Sequence, residues 1–210
     1  MNPEEILAQV AAEVAVCTKC ELHYSRRKAV PGEGPANAEI MFIGEAPGFH
    51  ENVQGRPFVG AAGQFLEELL SRNGLSREQV FITNVVKCRP PGNRDPRPEE
   101  VAACAGYLDR QIAAIRPKVI VTLGRYSMAK FLPHAKVSEV HGRPVRVRGL
   151  TIVPMYHPAA ALHQPSLKPV VEQDFARLPE ILAGVHEVPD YQPPDEEEKD
   201  QGQPKQLSLF

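Results

Sequence analysis

The sequence predicts an α/β fold: a three-layer sandwich in which helices flank a central, mostly parallel sheet of about four strands. Short, continuous apolar segments, which are typical of strands buried on both faces, alternate along the chain with longer segments of helical periodicity. Two of the apolar segments end at a glycine, Gly44 or Gly124, as a buried strand does when it gives way to a loop. Strands and helices that alternate in this way form parallel sheets with helices on both faces.

The first predicted element is a helix near the N-terminus. Asn2 can cap this helix, Pro3 suits its first position, and Glu4 and Glu5 lie at the positive end of its dipole. Its apolar face is formed by four residues at helical spacing, Ile6, Leu7, Val10 and Val14.

A buried strand over Ile40–Ile43 and a helix over Ala61–Asn73 are predicted next. The helix carries apolar residues at helical spacing, and Gly74 is a typical C-terminal stop for it. A second strand is predicted over Val80–Val85. The polar, proline-rich segment Arg89–Pro98 then indicates a loop.

The second half of the chain predicts two longer helices, one further buried strand and a strand pair. One helix begins at Pro98 and is ended by Pro117, because proline cannot continue a helix. The apolar run Val119–Leu123 predicts a third buried strand, Val145–Pro154 predicts a strand pair, and Pro169–Leu182 predicts the last helix. Since open parallel sheets bind ligands beyond the carboxyl ends of their strands, candidate site residues are expected there.

Charge is distributed unevenly between a predicted domain, residues 1–183, and a predicted acidic, disordered tail, residues 184–210. The tail holds seven acidic and two basic residues, whereas the first 183 residues hold 22 basic and 19 acidic ones. A mildly basic body is compatible with a polyanionic partner. The chain has no run of about eighteen apolar residues and starts with an acidic segment. We therefore expect no membrane-spanning helix, no secretory signal and a cytoplasmic protein.

Four cysteines form a candidate metal site. Cys17 and Cys20 are a Cys-x2-Cys pair, Cys88 follows the second predicted strand, and Cys104 lies on the apolar face of the next helix. Four thiolates could hold a zinc ion or a [4Fe–4S] cluster, and their spacing does not distinguish the two. Alternatively, Cys88 is incidental and Cys104 is an ordinary small core residue. We expect the shared site, because all four cysteines lie where they could converge.

Two glycine-rich loops predict a ligand pocket. Residues 44–48 follow the first strand, where their backbone could approach a ligand closely, and they lack the dinucleotide-binding pattern. Glu45 could orient water or stabilise a cation there, or it could be an exposed turn residue. In the second loop, residues 55–63, Phe58 is either available for stacking or anchors the loop to the core. His157, taken alone, could equally be a capping or a metal-binding residue.

These loops belong to an ordered set of four motifs. The segments are Gly44–Gly48, Gly55–Gly60, Thr83–Pro91 and His157–Ala160. Each motif alone is of modest specificity, but the ordered set is highly specific. Together they resemble the family 4 uracil-DNA glycosylases, the iron–sulfur branch of the uracil glycosylase superfamily, over about residues 15–182.

The resemblance implies that the protein cuts the N-glycosidic bond of a flipped-out deoxyuridine in DNA, which starts base-excision repair. It assigns the uracil pocket to Gly44, Glu45, Ala46, Pro47, Gly48, Glu51, Phe58, Asn84 and His157. Phe58 would stack on the uracil, and the amide of Asn84 would read the edge of the base. His157 would donate, as a neutral ring, to O2 of the departing uracil, and Glu45 would position the attacking water.

The resemblance also implies a cofactor and a DNA wedge. A structural [4Fe–4S] cluster would be bound by Cys17, Cys20, Cys88 and Cys104. After His157 the family usually shows Leu-Leu-Arg, whereas this chain has Ala161-Leu162-His163. Leu162 is the candidate that would wedge into the minor groove as the base leaves. We expect a monomer that acts on uracil-containing DNA at the nucleoid, with no membrane partner.

The last five residues form an apolar end on a polar tail. They are Gln206, Leu207, Ser208, Leu209 and Phe210. The peptide resembles the motif that binds the bacterial sliding clamp, and the alternative is a chance apolar terminus. On a disordered tether, such a peptide would raise the local concentration of the enzyme at replicating DNA.

Two other functions remain compatible with the sequence. One is a related glycosylase of the same superfamily that prefers another deaminated or mismatched base. The other is a non-catalytic protein that binds damaged DNA and carries a structural metal. Release of free uracil from DNA distinguishes the leading function from both.

Overall fold

A central sheet of five strands organises the computed structural model, which describes residues 1–192. The strands are β1 (Ile40–Gly44), β2 (Phe81–Asn84), β3 (Val119–Leu123), β4 (Val145–Val147) and β5 (Leu150–Met155). Their order across the sheet is β2-β1-β3-β5-β4, and every neighbouring pair is parallel except the β4–β5 hairpin. The predicted α/β fold is confirmed, and the sheet has five strands because both members of the predicted strand pair join it.

Helices precede and follow the strands along the chain. Within residues 1–192 they are α1 (Pro3–Val16), α2 (Leu22–Ser25), α3 (Phe49–Gln54), α4 (Ala61–Arg72), α5 (Pro98–Ile115), α6 (Arg125–Ala129), α7 (Val137–Val140), α8 (Pro158–His163), α9 (Lys168–Ala176) and α10 (Leu178–Ala183). The predicted last helix is divided in two at Arg177, because Pro179 in the first turn of α10 has no N–H to continue α9. None of the helices in this part of the chain is both long and apolar enough to cross a membrane.

The sheet is buried on both faces, which makes the three layers. Along β1, Ile40 and Phe42 contribute to one apolar cluster, and Met41 and Ile43 contribute to the other. The first cluster includes residues of α4, α9 and α10, and the ring of Phe42 stacks on that of Phe175 at 5.8 Å. The second includes residues of α1 and α5, which pack against each other. A strand covered on both faces reads as a continuous apolar run, as the sequence indicated.

The register of the sheet brings two predicted site segments together. Gly44, the last residue of β1, is paired directly with Asn84, the last residue of β2. On the other side of β1, β3 and β5 run in the same direction, so the chain leaves β5 toward His157 at the same edge. The loops after β1, β2 and β5 therefore meet at the carboxyl edge of the sheet, as predicted.

The ordered fold continues beyond the predicted domain boundary at residue 183. Residues Val185–Glu187 form a 3-10 turn, and the chain then pairs with the edge strand β4. Arg146 in β4 donates its backbone N–H to the carbonyl of Pro189 and accepts from the N–H of Tyr191, each at 2.8 Å. An edge strand has backbone groups without a partner strand, and these residues satisfy them. The predicted clamp-binding peptide lies outside the described residues.

Candidate active site

A cavity of about 450 Å³ opens at the carboxyl edge of the sheet. Its lining includes eight residues that were predicted to bind substrate, Glu45, Ala46, Pro47, Gly48, Glu51, Phe58, Asn84 and His157. The ninth, Gly44, packs directly against Asn84 and Phe58. The structure thus brings the whole predicted substrate-binding set to one place.

Asn84 presents an unpaired acceptor in the cavity wall. The residue is 2% exposed, and its Oδ1 has no hydrogen-bond partner within residues 1–192. Leaving a buried amide oxygen unpaired is costly, so such an atom points to a ligand that supplies the missing donor. A side chain at Gly44 would overlap with this oxygen, and its Cβ would stand 2.7 Å from the ring of Phe58. Gly44 therefore allows the two side chains to pack over the end of β1.

Phe58 is a buried residue whose backbone conformation is tightly constrained. Its φ is 50°, a left-handed value that is unusual for a bulky residue. Arg77 donates to its carbonyl oxygen from Nη1 at 2.8 Å. The ring lies 5.5 Å from that of His157, with 26° between the two planes. Phe58 thus lines the cavity as a fixed aromatic surface and does not serve only as a core anchor.

Glu51 holds two backbone segments of the site in place. Its Oε1 accepts from the N–H groups of Val59 and Gly60 at 2.9 and 3.0 Å, and its Oε2 accepts from that of Gly48 at 3.1 Å. Charged acceptors make strong hydrogen bonds to backbone N–H groups. The carboxylate therefore joins the loop after β1 to the loop that carries Phe58.

His157 is arranged as a neutral donor. It caps α8, and its Nδ1 accepts from the backbone N–H of Ala159 at 3.1 Å. Since Nδ1 is the acceptor, the proton of the neutral ring lies on Nε2. Burial lowers the pKa of His157 to about 4, an effect that the carboxylate of Glu51 partly offsets. The ring therefore carries an Nε2–H donor and no charge at neutral pH.

Glu45 is a half-buried carboxylate in the cavity lining. Burial raises its pKa, the nearby carboxylate of Asp95 adds to that rise, and the guanidinium of Arg125 opposes it. Arg125 and Asp95 form an ion pair with each other. Within residues 1–192 no hydrogen bond engages the carboxylate of Glu45, so both of its oxygens can accept from a ligand or water.

Lys87 lies behind Asn84 and was not singled out by the sequence. The residue is 1% exposed, and its Nζ donates to Thr83 Oγ1, to the carbonyl oxygen of Asn84 and to Gln111 Oε1 at 2.6, 2.9 and 2.8 Å. Its backbone N–H lies 3.4 Å from the sulfur of Cys104. Burial lowers the pKa of Lys87 to about 7, while a negative charge on Cys104 raises it. Lys87 thus contacts both the end of β2 and the cysteine site.

The four cysteines line one small cavity on the α1–α5 side of the sheet. The residues that meet there are Cys17, Cys20, Cys88 and Cys104. Arg26 directs its Nη1 at the sulfur of Cys88 over 3.5 Å. Burial raises the pKa of the thiols of Cys20 and Cys88, and it raises that of Cys104 to about 11. Thiolates in such a buried place need a cation, so the donor set fits a metal ion or cluster bound by four sulfurs.

The predicted wedge residue is exposed beside the cavity. Leu162 lies in α8 and is 46% exposed, whereas its neighbour Ala161 is buried in the core. The next residue, His163, lines the cavity. Of the two positions that usually hold leucine, the first, Ala161, thus lies in the protein interior and the second, Leu162, lies at the surface.

The proline-rich loop after β2 also contributes to the cavity, through Pro90 of the third motif and through two residues beyond that motif. Asn93 and Arg94 line it. Arg94 forms an ion pair with the buried Glu100, in which Arg94 Nη2 lies 2.6 Å from Glu100 Oε1. This ion pair fixes the position of Arg94. From the sequence, Arg94 could be interpreted only as a candidate contact to DNA phosphates or as a solvated surface charge, and Asn93 carried no signal beyond its place in the loop after β2.

Known proteins share sequence similarity with most of this chain. A family model described as the uracil DNA glycosylase superfamily matches residues 31–178. The type-4 uracil-DNA glycosylase of Sulfurisphaera tokodaii is 50% identical over 187 residues, which span 83% of this chain and 84% of that protein. The type-4 enzyme of Archaeoglobus fulgidus is 48% identical over 84% of this chain and 94% of that protein. The type-4 enzyme of Thermotoga maritima is 45% identical over 85% of this chain and 96% of that protein. The chain therefore belongs to the uracil-DNA glycosylase superfamily and, within it, to the type-4 enzymes.

Proposed function

We propose that this protein hydrolyses the N-glycosidic bond between uracil and deoxyribose in DNA and so starts base-excision repair. One observation carries this function. The same cavity is lined by a buried acceptor that has no partner within residues 1–192, Asn84 Oδ1, and by a neutral histidine donor, His157. A flipped-out base can enter such a cavity, whereas the glycosidic bond of a stacked base is out of reach.

Uracil recognition is assigned to Asn84 and Phe58. The Oδ1 of Asn84 would accept from N3–H of uracil, and its Nδ2 would donate to O4. Cytosine offers an acceptor at N3 and a donor at the 4-position, so the same amide orientation disfavours it. A Cβ at Gly44 would meet both Asn84 Oδ1 and the ring of Phe58, so the two side chains border the same space at the end of β1.

Bond cleavage is assigned to His157 and Glu45. As the C1′–N1 bond breaks, its electron pair passes to the uracil and the sugar becomes cation-like. His157 Nε2–H would donate to the uracil O2, where negative charge develops, and this hydrogen bond strengthens toward the transition state. The Glu45 carboxylate would stabilise the cationic sugar and direct a water molecule at C1′, accepting a proton from it. The uracil leaves as an anion and takes up a proton from solvent, and Glu45 passes the proton that it accepted to solvent, so the products are free uracil and an abasic site.

We also propose that the four cysteines bind a [4Fe–4S] cluster. They fit it because all four line one cavity and because N–H groups of Arg26 and Lys87 face the sulfurs of Cys88 and Cys104. When bound, the cluster would supply structural cross-links between the segment after α1, the loop after β2 and helix α5. Purified protein with a cluster is brown, and a colourless protein that contains zinc would contradict this part.

The DNA wedge, the assembly state and the clamp contact complete the proposal. Leu162 would fill the space left in the duplex by the flipped nucleotide, a role that its exposure permits. The protein would act as a monomer on chromosomal DNA in the cytoplasm. The peptide Gln206–Phe210 would bind the sliding clamp, as its pattern indicates. Clamp retention by protein that lacks these five residues would overturn that contact.

Uracil release from synthetic oligonucleotides tests the main function. Uracil would be placed opposite guanine, opposite adenine and in single strands, and free base and abasic sites would be measured. We expect release from uracil-containing DNA and a loss of at least about a hundredfold in single-turnover rate for His157→Ala and for Asn84→Ala. Full activity of both variants would refute the site assignment. Tight binding without release would favour a non-catalytic binder, and faster release of hypoxanthine would favour the related glycosylase.

A further inference from the structure

Two exposed apolar side chains flank the uracil cavity. Within residues 1–192 the exposed large apolar residues are Met1, Val16, Tyr24, Phe49 and Leu162. Phe49 directly follows the cavity residue Gly48, and Leu162 directly precedes the cavity residue His163. Leu162 already has an assigned role as the wedge, whereas nothing described so far uses Phe49. Its side chain is 55% exposed, although a phenyl ring is more stable away from water.

Polar neighbours hold the exposed ring of Phe49. The guanidinium of Arg89 stands over the ring at 5.4 Å from its centroid. Arg89 is itself held by Asn93, whose Oδ1 accepts from Nε at 2.7 Å and which lines the cavity. The ring of His50 packs edge-on against Phe49 at 5.4 Å and 86°. The aromatic surface is therefore oriented by cationic and polar groups and does not belong to the apolar core.

The backbone that carries Phe49 is fixed relative to the uracil site. Phe49 is the first residue of α3, and the N–H of the preceding Gly48 is bound by Glu51. The same carboxylate holds the loop that follows Phe58. The carboxylate of Glu51 thus joins the backbone next to Phe49 to the backbone next to Phe58.

We propose that Phe49 and Arg89 form a stacking subsite for the nucleobase adjacent to the flipped uracil on the same strand. This inference rests on the proposed function. A flipped nucleotide stays bonded through its phosphates to both neighbours, so the bases next to it lie at the mouth of the cavity. Aromatic rings and guanidinium planes stack on bases of any sequence, and a guanidinium also attracts the phosphate backbone. The subsite is most accessible to a base that has no pairing partner, as in single-stranded DNA.

The test removes the stacking partner from either side of the interaction. Single-stranded oligonucleotides with one uracil would carry a normal base at both neighbouring positions, or a tetrahydrofuran abasic analogue on the 5′ or the 3′ side. We expect Phe49→Ala to lower kcat/KM about tenfold on the intact strand, as for the loss of one base–aromatic stack. On the strand that lacks the stacking base, the substitution should cause no further loss. An equal loss on all three strands, or none on the intact strand, would overturn the subsite.

Further variants separate stacking from simple apolar contact. Phe49→Trp should keep the activity of the unmodified protein, whereas Phe49→Leu should lose activity as Phe49→Ala does. Tyr24→Ala is the matched control, because Tyr24 is an exposed aromatic residue that does not line the uracil cavity. If Leu supports activity as well as Phe does, the stacking assignment is wrong. Uracil release by the unmodified protein in the same assay tests the proposed function separately.

Discussion

The buried side-chain nitrogen of Lys87, Nζ, donates a hydrogen bond to the backbone carbonyl oxygen of Asn84 over 2.9 Å. Its other two acceptors are Thr83 Oγ1 and Gln111 Oε1, so in the protonated form each of the three N–H groups has a partner. Gln111 in turn donates to the carbonyl of Pro31 at 2.7 Å, which joins β2, α5 and the loop before β1. The residue that is proposed to read the base, Asn84, is thereby fixed through its backbone carbonyl by the buried Lys87 side chain.

Replacing Lys87 by methionine tests this connection. Met is of similar length but has no donor, so the Lys87→Met variant leaves buried acceptors unpaired and should lose about 1–3 kcal/mol of unfolding free energy. We expect kcat/KM for uracil release to fall about tenfold when Asn84 is present. In an Asn84→Ala background, the same substitution should cost little further activity. Lys87 affects activity through the position of the Asn84 side chain, and that side chain is already absent there.

Two controls support the interpretation of Lys87→Met. Visible absorption must be retained, because Lys87 directly precedes the proposed ligand Cys88. Lys136→Met, at an exposed lysine paired with Glu139, should change neither activity nor stability appreciably. An activity loss of the same size with and without the Asn84 side chain would show that Lys87 does not act through Asn84.

Substitution of Asp95 and substitution of Arg125 should shift the acid side of the pH–rate profile in opposite directions. Burial and Asp95 raise the pKa of Glu45, and Arg125 lowers it. Glu45 must be ionised to direct water, so activity should fall as the pH drops through its raised pKa. Asp95→Asn removes a negative neighbour and should move this fall to lower pH. Arg125→Gln leaves Asp95 uncompensated and should move it to higher pH.

Single-turnover rates from about pH 4 to pH 8 measure these shifts. Glu45→Gln should lower the plateau rate. It should also remove the part of the activity loss at low pH that comes from protonation of Glu45. Because the pKa of His157 is about 4, its ring stays neutral over most of this range and contributes only at the acid end. Shifts of the same sign in the Asp95 and Arg125 variants would contradict the assignment of the fall to Glu45.

A methyl group at position 44 should block the base pocket without unfolding the protein. The Cβ of Gly44→Ala would overlap with Asn84 Oδ1 and approach the Phe58 ring to 2.7 Å, so one of the two side chains must move. We expect uracil release to fall at least about a hundredfold, since a small misplacement of binding groups has such effects. The matched control is Gly106→Ala in α5, where a Cβ meets nothing within 4 Å. That control should keep activity and gain about 0.5–1 kcal/mol of stability.

The parts of the fold that depend on local pattern could be predicted from the sequence. The alternation of Met41 and Phe42 between two buried faces explains why β1 is a continuous apolar run, and the stop at Gly44 explains where the site lies. The pocket residues were found through ordered motifs. What these motifs could not supply were contacts between distant segments, such as those of Lys87 with Gln111 and of Arg125 with Asp95.

The segment after residue 183 shows why composition alone was insufficient there. Its prolines and acidic residues are typical of a disordered tail. Pro189 nevertheless accepts from the N–H of Arg146, because proline retains a carbonyl oxygen and an edge strand offers free N–H groups. Which residues of a polar tail meet such an edge depends on where the chain leaves α10, and that is a property of the folded structure.

Loss of one cysteine ligand should remove the cluster before it affects the chemistry at the pocket. Cys104→Ser takes a buried sulfur from α5, and we expect visible absorption and iron content to fall and the melting temperature to drop by several degrees. Because the proposed cluster is structural, uracil release well below the melting temperature should decrease less than it does in Asn84→Ala. Ala102→Ser is the control on the same helix and should retain iron, colour and activity. Retained iron and absorption in Cys104→Ser would exclude Cys104 as a ligand. A loss of activity in the folded variant as large as that of Asn84→Ala would show that the cysteine site acts directly on catalysis.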